Sequence, residues 1–282
     1  MIRLLSTALL AFGLFVSSAY AQSPKIFIAS TGADSNDGSR TSPKRSLQAA
    51  LDAVAAGGEV VILDTAGYGS VTINKSVGVV VPPGVNGFVT VTTANTNGIT
   101  INAGANDVVA LRGLIIEGTG IAGNGNGIYA TSVGTLLIDD TIVRNFNEGI
   151  YVFSTVTTHL VVQGGAVRNT QYGIDVEDNA SNLQIGAQIT ETTLTGNSYA
   201  FVSRVHNPGS TARLVATRCV ARANGTVFTA DSPRAQNVVD GCSITGNSRV
   251  FFGVGGTNYT RVNNTIYDNE GTGIAPVTLA AQ

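Results

Sequence analysis

The sequence predicts an all-β solenoid, a chain wound into repeated coils of short strands. Three observations carry this prediction. Asn recurs at Asn145, Asn169, Asn197, Asn224, Asn247 and Asn269, at spacings of 22 to 28 residues, which is the period of a repeat architecture. Gly-Ile pairs recur at Gly98-Ile99, Gly127-Ile128, Gly149-Ile150, Gly173-Ile174 and Gly273-Ile274, each opening a short alternating segment. The composition is that of strands and tight turns, with 34 Gly and 23 Asn in 282 residues and only 12% charged side chains. The same figures exclude other classes. A chain that is 43% hydrophobic with a net charge of −2 is not a disordered polyampholyte. Heptads of Leu, Glu and Lys are absent, which excludes a coiled coil, and Gly does not fall at every third position, which excludes collagen.

The elements follow in chain order. Arg3, the apolar run Leu4 to Val16 and the small-residue pattern Ala19-Tyr20-Ala21 predict an export signal over 1–21, cleaved after Ala21. No later apolar run is long enough to span a membrane, so membrane insertion after cleavage is not expected. A basic tract is also missing, which argues against nucleic acid as a partner. Residues 22–56 predict a strand, Ile26 to Ile28, and then an amphipathic helix. Ser46 is its N-cap, Leu47, Ala50, Leu51 and Val54 share one face, and Gly57-Gly58 is its stop. Such a helix suits the open end of a solenoid, where it covers the exposed core. Residues 57–282 hold the repeat. Strands such as Val60-Val61-Ile62-Leu63 and Val89-Thr90-Val91-Thr92 lead into it, and division by the period gives nine to ten coils. The repeated Asn fits a turn ladder, in which each amide bonds its neighbour in the next coil.

The third strand of each coil holds the candidate site. Aligned on the repeated Asn, its first outward position reads Tyr129, Tyr151, Asp175, Phe201, Phe228 and Phe251, an aromatic stripe interrupted by one carboxylate. Alternation then places Asp175 and Glu177 on one face, flanked by Tyr151 and Phe153 on one side and Phe201 on the other. Arg204 and His206 follow on a longer loop. Rings beside carboxylates suit a sugar-binding groove, because apolar sugar faces pack on rings while hydroxyls bond carboxylates. A stripe covered by a loop or a second copy of the chain gives the same pattern. A homo-oligomer through this stripe or through an open C-terminal end is therefore a further expectation.

Other motifs read as structure. Gly118-Thr119-Gly120-Ile121-Ala122-Gly123 matches a nucleotide-binding string, but Asn124-Gly125-Asn126-Gly127 follows and no helix opens. Asp34-Ser35-Asn36-Asp37-Gly38 resembles the start of a calcium loop with its Gly one residue early. Asp139-Asp140 reads as a turn. Cys219 and Cys242 each precede a repeated Asn by five residues, so they should stack on adjacent coils within disulfide reach. A disulfide and a pair of stacked thiols both fit that placement.

These repeats, with the strand-loop-helix opening at residues 26 to 53, resemble a right-handed parallel β-helix of the pectin lyase-like superfamily with an N-terminal cap. The resemblance implies a polysaccharide as partner and an exported protein, periplasmic or extracellular. No cofactor follows from the residues themselves. Pectate lyases use carboxylates to hold Ca²⁺ and a basic residue to take the proton α to a uronate carboxyl. That implies Asp175, Glu177 and Asp178 as metal ligands, and Arg204 with Asp175 and Glu177 as the catalytic set. Tyr172-Gly173-Ile174-Asp175-Val176-Glu177 resembles the Tyr-Gly-Phe-Asp-Pro-His-Glu element of alginate C5-epimerases at Tyr172, Gly173 and Asp175. Val176 and Glu177 stand where the Pro and the catalytic His should be. The Asn-Thr-Asp, Gly-His-Gly and Arg-Ile-Lys motifs of polygalacturonases are absent. The leading expectation is a polysaccharide-binding protein whose groove is lined by Tyr129, Tyr151, Phe153, Tyr172, Phe201 and His206. A uronan-active lyase and an interaction module of the cell envelope are the alternatives.

Overall fold

The structure, a computed structural model, describes residues 23–119 and 125–279. The expected export signal and the centre of the Gly118 to Gly123 turn lie outside these residues. The described chain is a parallel β-solenoid of three sheets with eleven, eight and nine strands. Successive strands visit the first, third and second sheets in turn, so each strand pairs in parallel with its counterpart one coil away. The eight strands of the second sheet set the number of complete coils at eight, fewer than the nine to ten expected. Among the described residues no helix is long and apolar enough to cross a membrane.

The amphipathic helix spans Leu47–Ala53, with Leu47, Ala50 and Leu51 buried. Ser46 accepts a hydrogen bond from the Ala49 N–H at 3.3 Å, as an N-cap should. Asp34 accepts from the backbone N–H groups of Arg45 and Ser46, so the acidic loop pins the helix start. The helix ends before Gly57-Gly58. Those glycines lie inside the strand Val54–Ile62, which pairs in parallel with Ser23–Ile28. The N-terminal strand is thus itself a rung of the first sheet.

The repeated Asn residues occupy two different columns. Asn145 and Asn169 adopt left-handed backbone, φ 63° and 56°. In the later coils that position belongs to Gly196, Ala223, Gly246 and Asp268, and the Asn comes one residue afterwards. These later amides form a buried ladder. Asn197 donates to Asn224 at 3.1 Å, Asn224 to Asn247 at 3.0 Å and Asn247 to Asn269 at 2.9 Å. The expected ladder therefore exists in two stretches: Asn169 donates to Asn145 at 3.4 Å in the left-handed column, and the buried run from Asn197 onward starts from the Thr170 hydroxyl, 2.7 Å from Asn197 Oδ1.

This one-residue offset changes which side chains enter the core. Pairing aligns Ile99, Ile128, Ile150, Ile174, Phe201, Phe228 and Phe251 in one inward column of the second sheet. Phe201, Phe228 and Phe251 are buried and stack on one another. They are core residues, so the expectation that Phe201 lines the outward groove fails. A slip of one residue moves a strand's side chains to the opposite face. The outward column instead runs Tyr129, Tyr151, Asp175, Val202, Thr229 and Phe252.

Cys219 and Cys242 stack on adjacent coils as free, buried thiols. The Cys219 N–H points at Cys242 Sγ, 3.3 Å away, and each thiol reaches a backbone carbonyl. Both should resist alkylation in the native protein, because neither sulfur is open to solvent. Unfolding without reductant should then expose two reactive thiols per chain, counted by mass. An unfolded chain that takes up no label would show that the pair had been oxidised to a disulfide.

Candidate functional site

The outward face of the second sheet carries the densest group of charged and aromatic side chains. Three strands build it. Glu148–Ser154 presents Glu148, Tyr151 and Phe153, and Tyr172–Asp178 presents Tyr172, Asp175 and Glu177 in register beside them. Tyr199–Arg204 presents Tyr199 and Arg204, while Val202, in the outward register, is buried. Parallel pairing places each set about 4.8 Å from the next, so like side chains stack along the solenoid axis. Tyr129 stacks on Tyr151 with centroids 5.5 Å apart, Tyr151 on Phe153 at 5.6 Å, and Tyr172 on Tyr199 at 5.1 Å. All five rings are partly exposed.

Arg204 ties the two halves together. Its guanidinium lies 4.5 Å from the Tyr172 ring centre, and its Nη1 is 2.8 Å from Asp175 Oδ2 and 3.6 Å from Glu177 Oε2. Glu177 is the hub. The Tyr151 hydroxyl donates to its Oε2 at 2.9 Å, and His206 Nε2 lies 2.9 Å from its Oε1. His206 is held in place from below. Asp178 accepts from the backbone N–H groups of His206 and Asn207 at 2.7 and 2.9 Å, which fixes the loop after Arg204.

Burial sets the protonation of this cluster. Asp175 is fully buried, and burial drives its carboxyl well above the usual range; Arg204 opposes this, and Glu148 and Glu177 reinforce it. Neither oxygen of Asp175 has a hydrogen bond of good geometry among the described residues, although the Arg204 ion pair is close. Glu148 is pushed up to about 7, first by burial and then by the Glu177 charge, against the pull of Arg204. Arg204 moves the other way. Burial disfavours its charge, but Asp175, Glu177 and Glu148 outweigh that and hold the proton more firmly. A guanidinium held this way sits in the cluster as a cation.

The Glu148 carboxyl gives the protein a pH signature. Its folded pKa lies above the unfolded value, so its contribution is complete at low pH and is lost as pH rises through the folded pKa. Between about 4.5 and about 7 the protein should lose roughly 3 kcal/mol of stability through this group. Glu148→Gln should flatten that part of the stability–pH curve and make the variant the more stable protein at pH 8. Urea titrations across this range measure it, and parallel curves for both proteins would contradict the assignment.

The expected metal set does not assemble. Asp178 spends its carboxylate on the two backbone N–H groups, and Asp175 and Glu177 share the Arg204 guanidinium. Among the described residues no group of three or more His, Cys, Asp or Glu side chains is placed to hold a metal ion. These residues therefore do not fit Ca²⁺. Sequence reasoning found Tyr129, Tyr151, Phe153, Tyr172, Asp175, Glu177, Arg204 and His206, and the structure brings these eight to one face. It missed Glu148 and Tyr199. Their signal was present, since Glu148 precedes Gly149-Ile150 as Tyr172 precedes Gly173-Ile174. Beyond Tyr199 the face continues into a groove of about 560 Å³ lined by Ser198, Gly225, Thr226, Ser248 and Arg249. A separate groove of about 490 Å³ lies on the first sheet, where Gly186 leaves a notch between His159 and Arg213.

Comparison with known proteins adds the fold. No protein-family model and no curated protein matches the chain. The crystal structure of pectate lyase Pel9A matches it with a TM-score of 0.57, over 90% of this chain and 79% of that one, at 13% sequence identity. The shared fold is a parallel β-helix. At this identity the likeness concerns the path of the backbone and leaves the chemistry to this chain's own residues.

Proposed function

We propose that this is an exported polysaccharide-binding protein and that its glycan lies along the outward face of the second sheet. One observation carries the reading. Tyr129 stacks on Tyr151 of the next coil and Tyr151 on Phe153 along its own strand, and this ring group pairs directly with the strand that carries Glu177, which Arg204 and His206 contact. Apolar sugar faces pack on such rings, and the adjacent charged groups hydrogen-bond the hydroxyls. The continuation past Tyr172 and Tyr199 into the Thr226 and Arg249 groove gives a track several coils long, which suits a polymer better than a single sugar. The similarity to a structure named as a pectate lyase agrees with a polysaccharide ligand, and the export signal read from residues 1–21 agrees with one outside the cytoplasm.

Affinity electrophoresis through gels loaded with different polysaccharides tests this. At least one glycan should retard the protein. Tyr151→Ala should weaken that binding by about tenfold or more, the effect of losing a central aromatic anchor worth at least ~1.4 kcal/mol. Unchanged retardation of the variant would place the binding face elsewhere.

A further inference from the structure

We propose that the first sheet carries a second, separate binding site, a slot at Gly186 that takes a planar aromatic ring with a carboxylate substituent between His159 and Arg213. Its basis is a missing rung. Pairing aligns Thr135, His159, Gly186, Arg213 and Gln236 in one outward column of the first sheet. Gly186 interrupts that row of side chains, and the gap is a cavity of about 490 Å³ lined also by Val161, Gln188 and Val215. A glycine inside a strand weakens it and often marks a place where a ligand approaches closely. The backbone does not require glycine here. Gly186 is outside the left-handed region, and an added Cβ would meet only His159 Nδ1, at 3.5 Å, an ordinary contact. Gly149 of the second sheet is the opposite case, where a Cβ would come within 2.5 Å of the Gly173 carbonyl oxygen.

The gap has the thickness of one ring. Neighbouring coils are about 4.8 Å apart, so the His159 and Arg213 backbones stand about 9.6 Å apart across it. Rings one coil apart in this protein stack at centroid distances of 4.8 to 5.7 Å. A flat ring in the Gly186 rung therefore stacks on the His159 imidazole on one side and on the Arg213 guanidinium on the other. Arg213 selects an aromatic ring, because its planar cation is attracted to a π face. It is exposed, and its side chain has no hydrogen bond or ion pair among the described residues, so its charge is open to a ligand. The imidazole stacks in either protonation state. Gln188 stands on the same strand and the same face as Gly186, two residues on. There its amide can donate to a carboxylate at the edge of the ring, and the Arg213 charge attracts the same anion. Val161 and Val215 lie on either side of Gln188 and keep water from the inner edge of the ring. A puckered sugar has no π face to offer Arg213, so the slot is distinct from the glycan track of the second sheet. Gly78 on the same sheet is equally unforced, but its neighbours are Glu59 and Ala110, which form no such walls.

The test uses the full, isotope-labelled chain and follows its amide signals by NMR. The probe is 4-hydroxybenzoate, and cyclohexanecarboxylate is its saturated, non-planar counterpart. 4-Hydroxybenzoate should shift the signals of Gly186 and its neighbours and saturate with a Kd of about 1 mM or tighter, as suits a ligand of about ten non-hydrogen atoms. Cyclohexanecarboxylate should bind at least about tenfold more weakly, since it has no π face. Gly186→Thr fills the rung and Arg213→Ala removes one wall, and each should weaken binding about tenfold or more. Gly186→Thr should also raise the Tm, because a β-branched residue suits a strand that has no need of glycine. Arg213 is exposed, so its variant keeps the fold whatever happens at 186. Equal binding of the two acids would make this a plain anion site and overturn the slot. No shift at about 10 mM probe, shifts confined to other parts of the chain, or binding that survives both substitutions would also overturn it. A Gly186→Thr protein less stable than the parent would show that the backbone needs this glycine, which removes the basis of the proposal.

Discussion

Phe228→Ala should destabilise the protein by about 3–5 kcal/mol, the cost of removing a large aromatic side chain from a close-packed core. Phe228 is fully buried between two rings, with Phe201 at 4.8 Å and nearly parallel, and Phe251 at 5.7 Å. Truncation leaves a void with coils on both sides, and neither neighbouring strand can move in without breaking its ladder of parallel pairing. Phe252 provides the control. It lies one residue away, faces outward, is partly exposed and sits under Arg249. Phe252→Ala should cost much less, within about 1 kcal/mol. Urea denaturation of the two variants measures the difference. Equal losses, or a larger loss at Phe252, would reverse the register of the second sheet and with it the outward column that defines the site.

The second large effect is expected at Arg204. Arg204→Leu removes the only ion-pair partner described for Asp175, a side chain with no exposed surface. Breaking a buried pair from one side typically costs about 3–5 kcal/mol, because the remaining charge is left uncompensated. The loss should be largest at high pH, where Asp175 is ionised, and should shrink as pH falls and Asp175 takes up a proton. The double variant Arg204→Leu/Asp175→Asn should recover most of the stability, since it removes the orphaned charge. Arg204→Lys should recover less, because an ammonium does not reproduce the planar contact with Tyr172. Thermal denaturation of these variants at two pH values tests the cluster as a unit. A single variant as stable as the parent at high pH would show that Asp175 has no need of Arg204.

Much of this molecule is legible in its sequence, for physical reasons tied to particular residues. The Gly-Ile pairs work as markers because the glycines at 127, 149 and 173 lie where a Cβ would collide with the next coil, as at Gly149 with the Gly173 carbonyl. The buried Ile beside each one stacks on the next. These constraints repeat coil by coil and make the solenoid visible. The site residues Asp175, Glu177, Tyr151 and Phe153 were legible because strand alternation fixes their face once one neighbour is placed. What misled was the repeated Asn. Asn serves two adjacent turn positions, the left-handed one at Asn145 and Asn169 and the ladder position at Asn197, Asn224 and Asn247. Only pairing between coils separates them, and the slip sent Phe201, Phe228 and Phe251 to the wrong face on paper. Loop geometry was equally hidden. That Asp178 grips the backbone of His206 and Asn207 depends on where a long turn folds back, and no spacing in the sequence reports that.

The most direct test is a crystal structure with an oligosaccharide cut from a glycan that retards the protein. The account predicts sugar rings over Tyr151 and Phe153, with hydroxyl or carboxylate groups within hydrogen-bond reach of His206, Glu177 or Arg204. A sugar chain seated instead in the Gly186 notch of the first sheet, with the Tyr129 to Phe153 rings bare, would contradict it.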